Sequence, residues 1–133
     1  MPGKKLSVLL VDDSRTVLLQ MEKAFSTIED AEIVGTARNG AEAIQKASEL
    51  KPDLIIMDIV MPEIDGLAAL RIIQAKQPEL RIVMLSSVGG TAPKAEEAFR
   101  LGAVQVLSKP VDQEILTALV TQERERLAGQ PGN

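Results

Sequence analysis

The chain has 133 residues, enough for one domain with its own core, and contains neither cysteine nor histidine. These absences exclude disulfides, thiolate metal sites, imidazole ligands and a histidine base, so any bound metal must be a hard, oxygen-preferring ion such as Mg2+. A formal net charge of −4 with scattered basic residues argues against direct contact with nucleic acid, and no apolar run reaches the length of a membrane span, so a cytoplasmic protein without membrane insertion is the expectation.

Leu6 to Val11 is the first buried-strand pattern, and it ends at Asp12-Asp13. Ser14 is a good helix N-cap, with Val17, Met21, Phe25 and Ile28 following at helical spacing. Ala31 to Ala37 reads as a second, shorter strand. Asn39-x-x-Glu42 then resembles a capping box that opens a helix through Leu50, stopped by Lys51-Pro52-Asp53. The run Leu54-Ile55-Ile56-Met57 has no polar alternation, as expected of a strand buried on both faces, and it gives way to Asp58. A carboxylate at that place is costly to hide, so it must be paired, hydrogen-bonded or metal-bound.

Met61 to Gly66 forms the exit loop, and Asp65 can cap a helix in which Leu67, Leu70 and Ile73 face inward and which ends before Pro78. Leu80 to Leu85 is a fourth strand, finishing at Ser86-Ser87, and Gly89-Gly90 make the following loop flexible. Pro93 suits the first turn of a helix running to Leu101, with Gly102 as its stop. Ala103 to Ser108 is a short fifth strand leading to Lys109-Pro110. The last helix, from about Asp112 to Leu127, shows Ile115 or Leu116, Leu119 and Val120 on one side and Glu123 to Arg126 near its end. The domain thus covers residues 1–128, and 129–133 is a flexible tail or the start of a linker.

Strand and helix in strict alternation, joined by short connections, predict an α/β, doubly wound, five-stranded parallel sheet with helices on both faces. In such a sheet the strand ends gather on one edge, which brings together Asp12, Asp13, Asp58, Ser86 or Ser87, and Lys109. Any one of these residues alone has an ordinary explanation as a cap, a turn or a surface charge. Their arrival at successive strand ends does not. Three crowded carboxylates require a cation, and oxygen ligands select Mg2+ or Mn2+. A metal beside Asp58, with Lys109, would neutralise an incoming phosphoryl group, and no general base is needed if the carboxylate is the nucleophile.

These residues carry a resemblance. Val11-Asp12-Asp13-Ser14, Met57-Asp58-Ile59-Val60-Met61-Pro62-x-x-Asp65-Gly66, Val83-Met84-Leu85-Ser86-Ser87 and Lys109-Pro110 resemble the receiver domain of two-component response regulators, over Leu6 to about Leu127. The chain is most similar to the single-domain chemotaxis type, although its Ser86 to Gly90 loop resembles the receiver part of chemotaxis methylesterases more closely. The fold implied is the CheY-like, flavodoxin-like (βα)5 three-layer sandwich with strand order 2-1-3-4-5. The resemblance implies that Asp58 is the phospho-acceptor, that Asp13, Asp58 and the backbone carbonyl of Val60 ligate Mg2+, with Mn2+ as a substitute, and that Asp12 acts through water. It makes Ser86 the switch hydroxyl and Lys109 its phosphoryl-pairing partner, with Ser87 and Val88 in the neighbouring loop.

The implied donor is a sensor histidine kinase or phosphotransfer protein, replaceable by small phosphodonors, and the output is a partner protein bound on the face of the fourth helix, fifth strand and last helix. Nothing in the motifs points to enzymatic activity beyond the receiver's own phosphorylation and dephosphorylation, so a non-enzyme is expected. Two departures stand out. Val106 occupies the place of the usual switch aromatic, and Val60 and Val88, which flank the phosphoryl pocket, are apolar, which implies slow autodephosphorylation. A phosphorylation-independent interaction module with the same fold is the alternative. An aspartyl phosphatase ranks last, because no second acid follows Asp58 at the required spacing.

Overall fold

Both alternating sets of side chains on the central strands are apolar, so the sheet must be covered on both faces. The computed structural model, which describes residues 5–87 and 92–129, meets this demand with two cores. The strands are β1 (Leu6–Val11), β2 (Ala31–Ala37), β3 (Leu54–Asp58), β4 (Arg81–Ser86) and β5 (Gln105–Ser108). The helices are α1 (Arg15–Phe25), α2 (Gly40–Leu50), α3 (Gly66–Lys76), α4 (Ala92–Arg100) and α5 (Gln113–Ala128). All strand pairs are parallel, in the order β2-β1-β3-β4-β5. On one face Leu9, Ile55, Met57, Ile82 and Met84 pack with Ala43, Ala47, Leu70, Ile73 and Ala98 of α2, α3 and α4. On the other, Val8, Leu10, Leu54, Ile56 and Val83 pack with Leu18, Met21, Phe25, Leu116, Leu119 and Val120 of α1 and α5.

Capping side chains set the helix starts. Ser14, Asn39, Asp65 and Asp112 each accept a hydrogen bond from the backbone three residues on, satisfying donors that the first turn leaves unpaired. The expected boundaries of α1 and β5 shift, and α5 differs in which residues it buries. α1 ends at Phe25, because Ser26 caps it, and buried Ile28 closes the turn through its N–H to the Phe25 carbonyl at 2.9 Å. β5 starts at Gln105 rather than Ala103, because the Ala103 N–H bonds the Ala98 carbonyl at 2.9 Å and so belongs to the helix exit. In α5, Leu116 is buried while Ile115 is 41% exposed, and Glu123 is not part of a solvated end. It is buried and receives a two-pronged hydrogen bond from Arg81 at 3.0 and 3.1 Å. The expected Gly89-Gly90 loop, Val88 and residues 130–133 lie outside the described residues.

Gly66 determines how α3 meets the sheet. Its N–H donates to the Ile59 carbonyl at 2.8 Å, and a Cβ added there would stand 2.0 Å from the Asp58 carbonyl oxygen. No L side chain fits, because the clashing atom is backbone. Gly66→Ala must therefore displace either α3 or the end of β3, at a cost of about 2 kcal/mol or more. Urea denaturation is expected to show that loss; an unchanged midpoint would mean that the close approach does not constrain the fold.

Candidate functional site

Parallel strand order places the ends of β1, β3, β4 and β5 side by side, and the acids lie there. Asp12 follows β1 and Asp58 closes β3; their exposures are 1% and 4%, and Ser86 at the end of β4 is 5% exposed. Asp13 is exposed at the mouth, and its carboxylate has an oxygen within 4.8 Å of ligand atoms on both Asp12 and Asp58. Lys109, one residue beyond β5, reaches back across the edge: its Nζ lies 2.8 Å from Asp12 Oδ2 and 3.0 Å from Asp58 Oδ2. Its backbone N–H donates to the Ser86 carbonyl at 2.8 Å, which ties the lysine to the strand carrying the hydroxyl.

Each acid is oriented by main chain. Asp12 Oδ1 accepts from the Ser14 N–H at 2.9 Å, and Asp58 Oδ1 accepts from the Val60 N–H at 3.4 Å. Asp12 Oδ2 is the exception. It is buried and close to the ammonium, yet among the described residues no donor is aligned on it as a hydrogen bond, so that contact is an ion pair of charge and proximity. A buried carboxylate oxygen without a directed partner, beside two further carboxylates, is a donor set that suits a hard divalent cation, so the residues present fit one.

The electrostatics agree. Burial pushes the Asp58 carboxyl above its ordinary pKa, the Asp12 charge adds to the rise, and the hydrogen bonds from Lys109 and Val60 offset it only in part. For Lys109, burial alone would lower the pKa, but the contacts with Asp12 and Asp58 outweigh it and the net direction is upward. The proton-free carboxylate and the protonated ammonium therefore depend on each other.

The structure brings together Asp12, Asp13, Asp58, Ser86 and Lys109 as the sequence suggests, and leaves Ser87 exposed beside them. Val60 is 51% exposed at the mouth, and Val106 is half-buried against the core that α4 helps to form. Two features escaped sequence reasoning. Lys109 already bridges two acids rather than waiting for a phosphoryl group, and Arg38, after β2, donates from its guanidinium to the Asp13 carbonyl at 3.4 Å. Only the order of the strands makes Arg38 a neighbour of the acids; its local sequence marks it merely as a residue before a helix cap.

Comparisons with known proteins agree with this arrangement. The model of the response regulator receiver domain matches residues 8–121. A protein-glutamate methylesterase/protein-glutamine glutaminase of Archaeoglobus fulgidus is 44% identical over 91% of this chain and 34% of its own length. The response regulator domain of Thermotoga maritima CheB is 35% identical, with a TM-score of 0.80, covering 96% of this chain and 100% of that one. A chain of the CheX–CheY–BeF3–Mg2+ complex of Borrelia burgdorferi is 29% identical, with a TM-score of 0.80, covering 96% of this chain and 92% of that one. The chain spans about a third of the length of the curated relatives it matches. The expectation of a non-enzyme is corrected here, because those relatives are named as enzymes. The motifs at the strand ends concern only the matched third and carry no signal about the remainder. Among the described residues, no helix is long and apolar enough to cross a membrane.

The raised Asp58 pKa carries a sign. A carboxyl whose folded pKa exceeds its unfolded value weakens the fold once ionised; that cost fades as pH falls through the folded pKa toward the unfolded one. Asp58→Asn mimics the protonated form and leaves Asp12 to hold Lys109. In metal-free buffer at neutral pH it is expected to melt a few degrees above the parent, with the gap closing on acidification. A variant that melts below the parent throughout would show that the Lys109–Asp58 pair stabilises more than burial costs.

Proposed function

Since the chain belongs to the response regulator receiver family, we propose that Asp58 is its phospho-acceptor and that the acid cluster works with Mg2+ in a phosphorelay. The observation that supports this most is the buried Asp58 carboxylate, at a sheet edge, held 3.0 Å from Lys109 Nζ and beside two further acids. Asp13 and Asp58, with the Val60 carbonyl, would hold Mg2+ directly, and Asp12 would act through water, with Mn2+ as a substitute. The ion, when bound, supplies positive charge against the crowded carboxylates and the incoming phosphoryl oxygens.

This chain's own residues do the rest. An Asp58 oxygen attacks phosphorus as the bond to the leaving group breaks, and the electron pair departs with that group. Lys109 keeps its proton throughout and can exchange an Asp58 oxygen for a phosphoryl oxygen without losing an ion pair. The Ser86 hydroxyl, buried at the end of the neighbouring strand, would donate to a second phosphoryl oxygen. Val106, with no polar tip and half-buried, cannot swing as an aromatic switch does, so the change would travel through the Ser86 strand end. The donor is a sensor histidine kinase or phosphotransfer protein in the cytoplasm, and the α4–β5–α5 face would meet the output partner. From the relatives, we infer that this receiver serves a protein with methylesterase and glutaminase activity on protein side chains.

Incubation with acetyl phosphate and Mg2+ is expected to add one phosphoryl group to the intact mass of the parent, and none to Asp58→Asn or to an EDTA-treated sample. A gain on the Asn variant would overturn the assignment of the acceptor.

Val60 lines the mouth with a side chain that cannot align water. Adding one hydrogen bond there, in Val60→Asn, is worth about 1 kcal/mol and should speed loss of the phosphoryl group roughly fivefold, followed as decay of the phosphorylated mass. An unchanged decay would show that water is positioned elsewhere.

A further inference from the structure

The sheet edge runs from β2 through β1, β3 and β4 to β5, with the acids at the ends of β1 and β3. Two cations flank them. Lys109 closes the β5 side through Asp12 and Asp58, and Arg38 stands on the β2 side with its guanidinium on the Asp13 carbonyl at 3.4 Å. Arg38 is held in place from below: its backbone N–H donates to Glu42 Oε1 at 2.7 Å, and the next residue, Asn39, caps α2 by accepting from the Glu42 N–H at 2.8 Å. The Asp12 N–H to Ala37 carbonyl bond at 3.1 Å fixes the two strand ends that carry Arg38 and the acids. An exposed guanidinium therefore has a defined place beside the cluster that an anionic donor must approach.

We propose that Arg38 is a positioning residue that selects the donor: its exposed charge attracts small, strongly anionic acyl phosphates to the cluster. This rests on the assignment of Asp58 as acceptor. Lys109 is held inward by both buried acids and meets a phosphoryl oxygen only by exchanging one of their oxygens for it. Arg38 makes its contact with a neutral carbonyl, so its charge stays available to solvent and to an approaching ligand. At surface dielectric one such charge alters a rate by about fivefold.

The test compares the parent, Arg38→Ala and Arg38→Lys for the rate of mass gain with acetyl phosphate and with phosphoramidate, which carries less net negative charge. It is run at low and high salt, with calorimetric Mg2+ titration of the unphosphorylated proteins. Arg38→Ala is expected to react about fivefold more slowly with acetyl phosphate at low salt, less so with phosphoramidate, and to lose the difference at high salt. Arg38→Lys is expected to restore the rate. Mg2+ affinity should hold or rise in Arg38→Ala, since a repelling cation has gone; an Arg38 that merely braced the Asp13 loop would give weaker Mg2+ binding with both donors slowed alike, and that result overturns the proposal. Equal acetyl phosphate rates in parent and Arg38→Ala overturn it as well. A parent that gains no phosphoryl group from either donor would instead sink the assignment of Asp58 itself.

Discussion

One ammonium between two buried carboxylates is the constraint around which the chain is arranged. Lys109 touches Asp12 at 2.8 Å and Asp58 at 3.0 Å, and those acids are almost wholly removed from water. Charges so placed are costly unless paired, and the pair here is incomplete: three acids face one lysine that enters the cluster. That residual imbalance distinguishes the cluster from an ion pair whose charges are matched. Arg81 with Glu123 supplies the contrast, a two-pronged bridge far along the same sheet with both carboxylate oxygens satisfied.

Everything around the acids keeps them from relaxing. β3 is buried along its whole length, so the chain cannot slide to expose Asp58 without dragging Ile55, Ile56 and Met57 into water. Gly66 lets α3 begin directly against the Asp58 carbonyl, which fixes the exit of the strand. Ser14 and Val60 aim one oxygen of each buried acid through main-chain donors and leave the other toward Lys109. The positive φ of Glu63, 62°, marks how tightly the chain turns between the Asp58 strand and α3.

Much of this was legible in the residues. Unbroken apolar runs, caps at Ser14, Asn39 and Asp65, and acids at strand ends point to a parallel sheet with one functional edge, and the structure has that sheet in the order the receiver resemblance implies. What escaped was whatever depends on distance in the fold rather than in the chain. The need for glycine at position 66 arises from a backbone eight residues earlier, Glu123 is buried because Arg81 reaches it, and Arg38 matters because β2 lies beside β1. The early start assigned to β5 failed for a related reason: Ala103 reads as strand by composition, but its N–H is taken by the Ala98 carbonyl of the helix exit, and Val104 meets β4 only through its N–H to the Ile82 carbonyl before the ladder begins. The Ser86 to Gly90 loop already pointed toward methylesterase receivers, and the relatives agree with that resemblance; what a receiver controls is not encoded in the acid cluster itself.

The proposed function stands on the position of one acyl phosphate. Borohydride trapping reads that position directly: the reagent reduces an aspartyl phosphate to homoserine, and peptide mass mapping locates the change. After treatment with acetyl phosphate and Mg2+, homoserine is predicted at Asp58. Homoserine at Asp12 or Asp13, or a phosphorylated protein with no homoserine at any aspartate, would contradict the account.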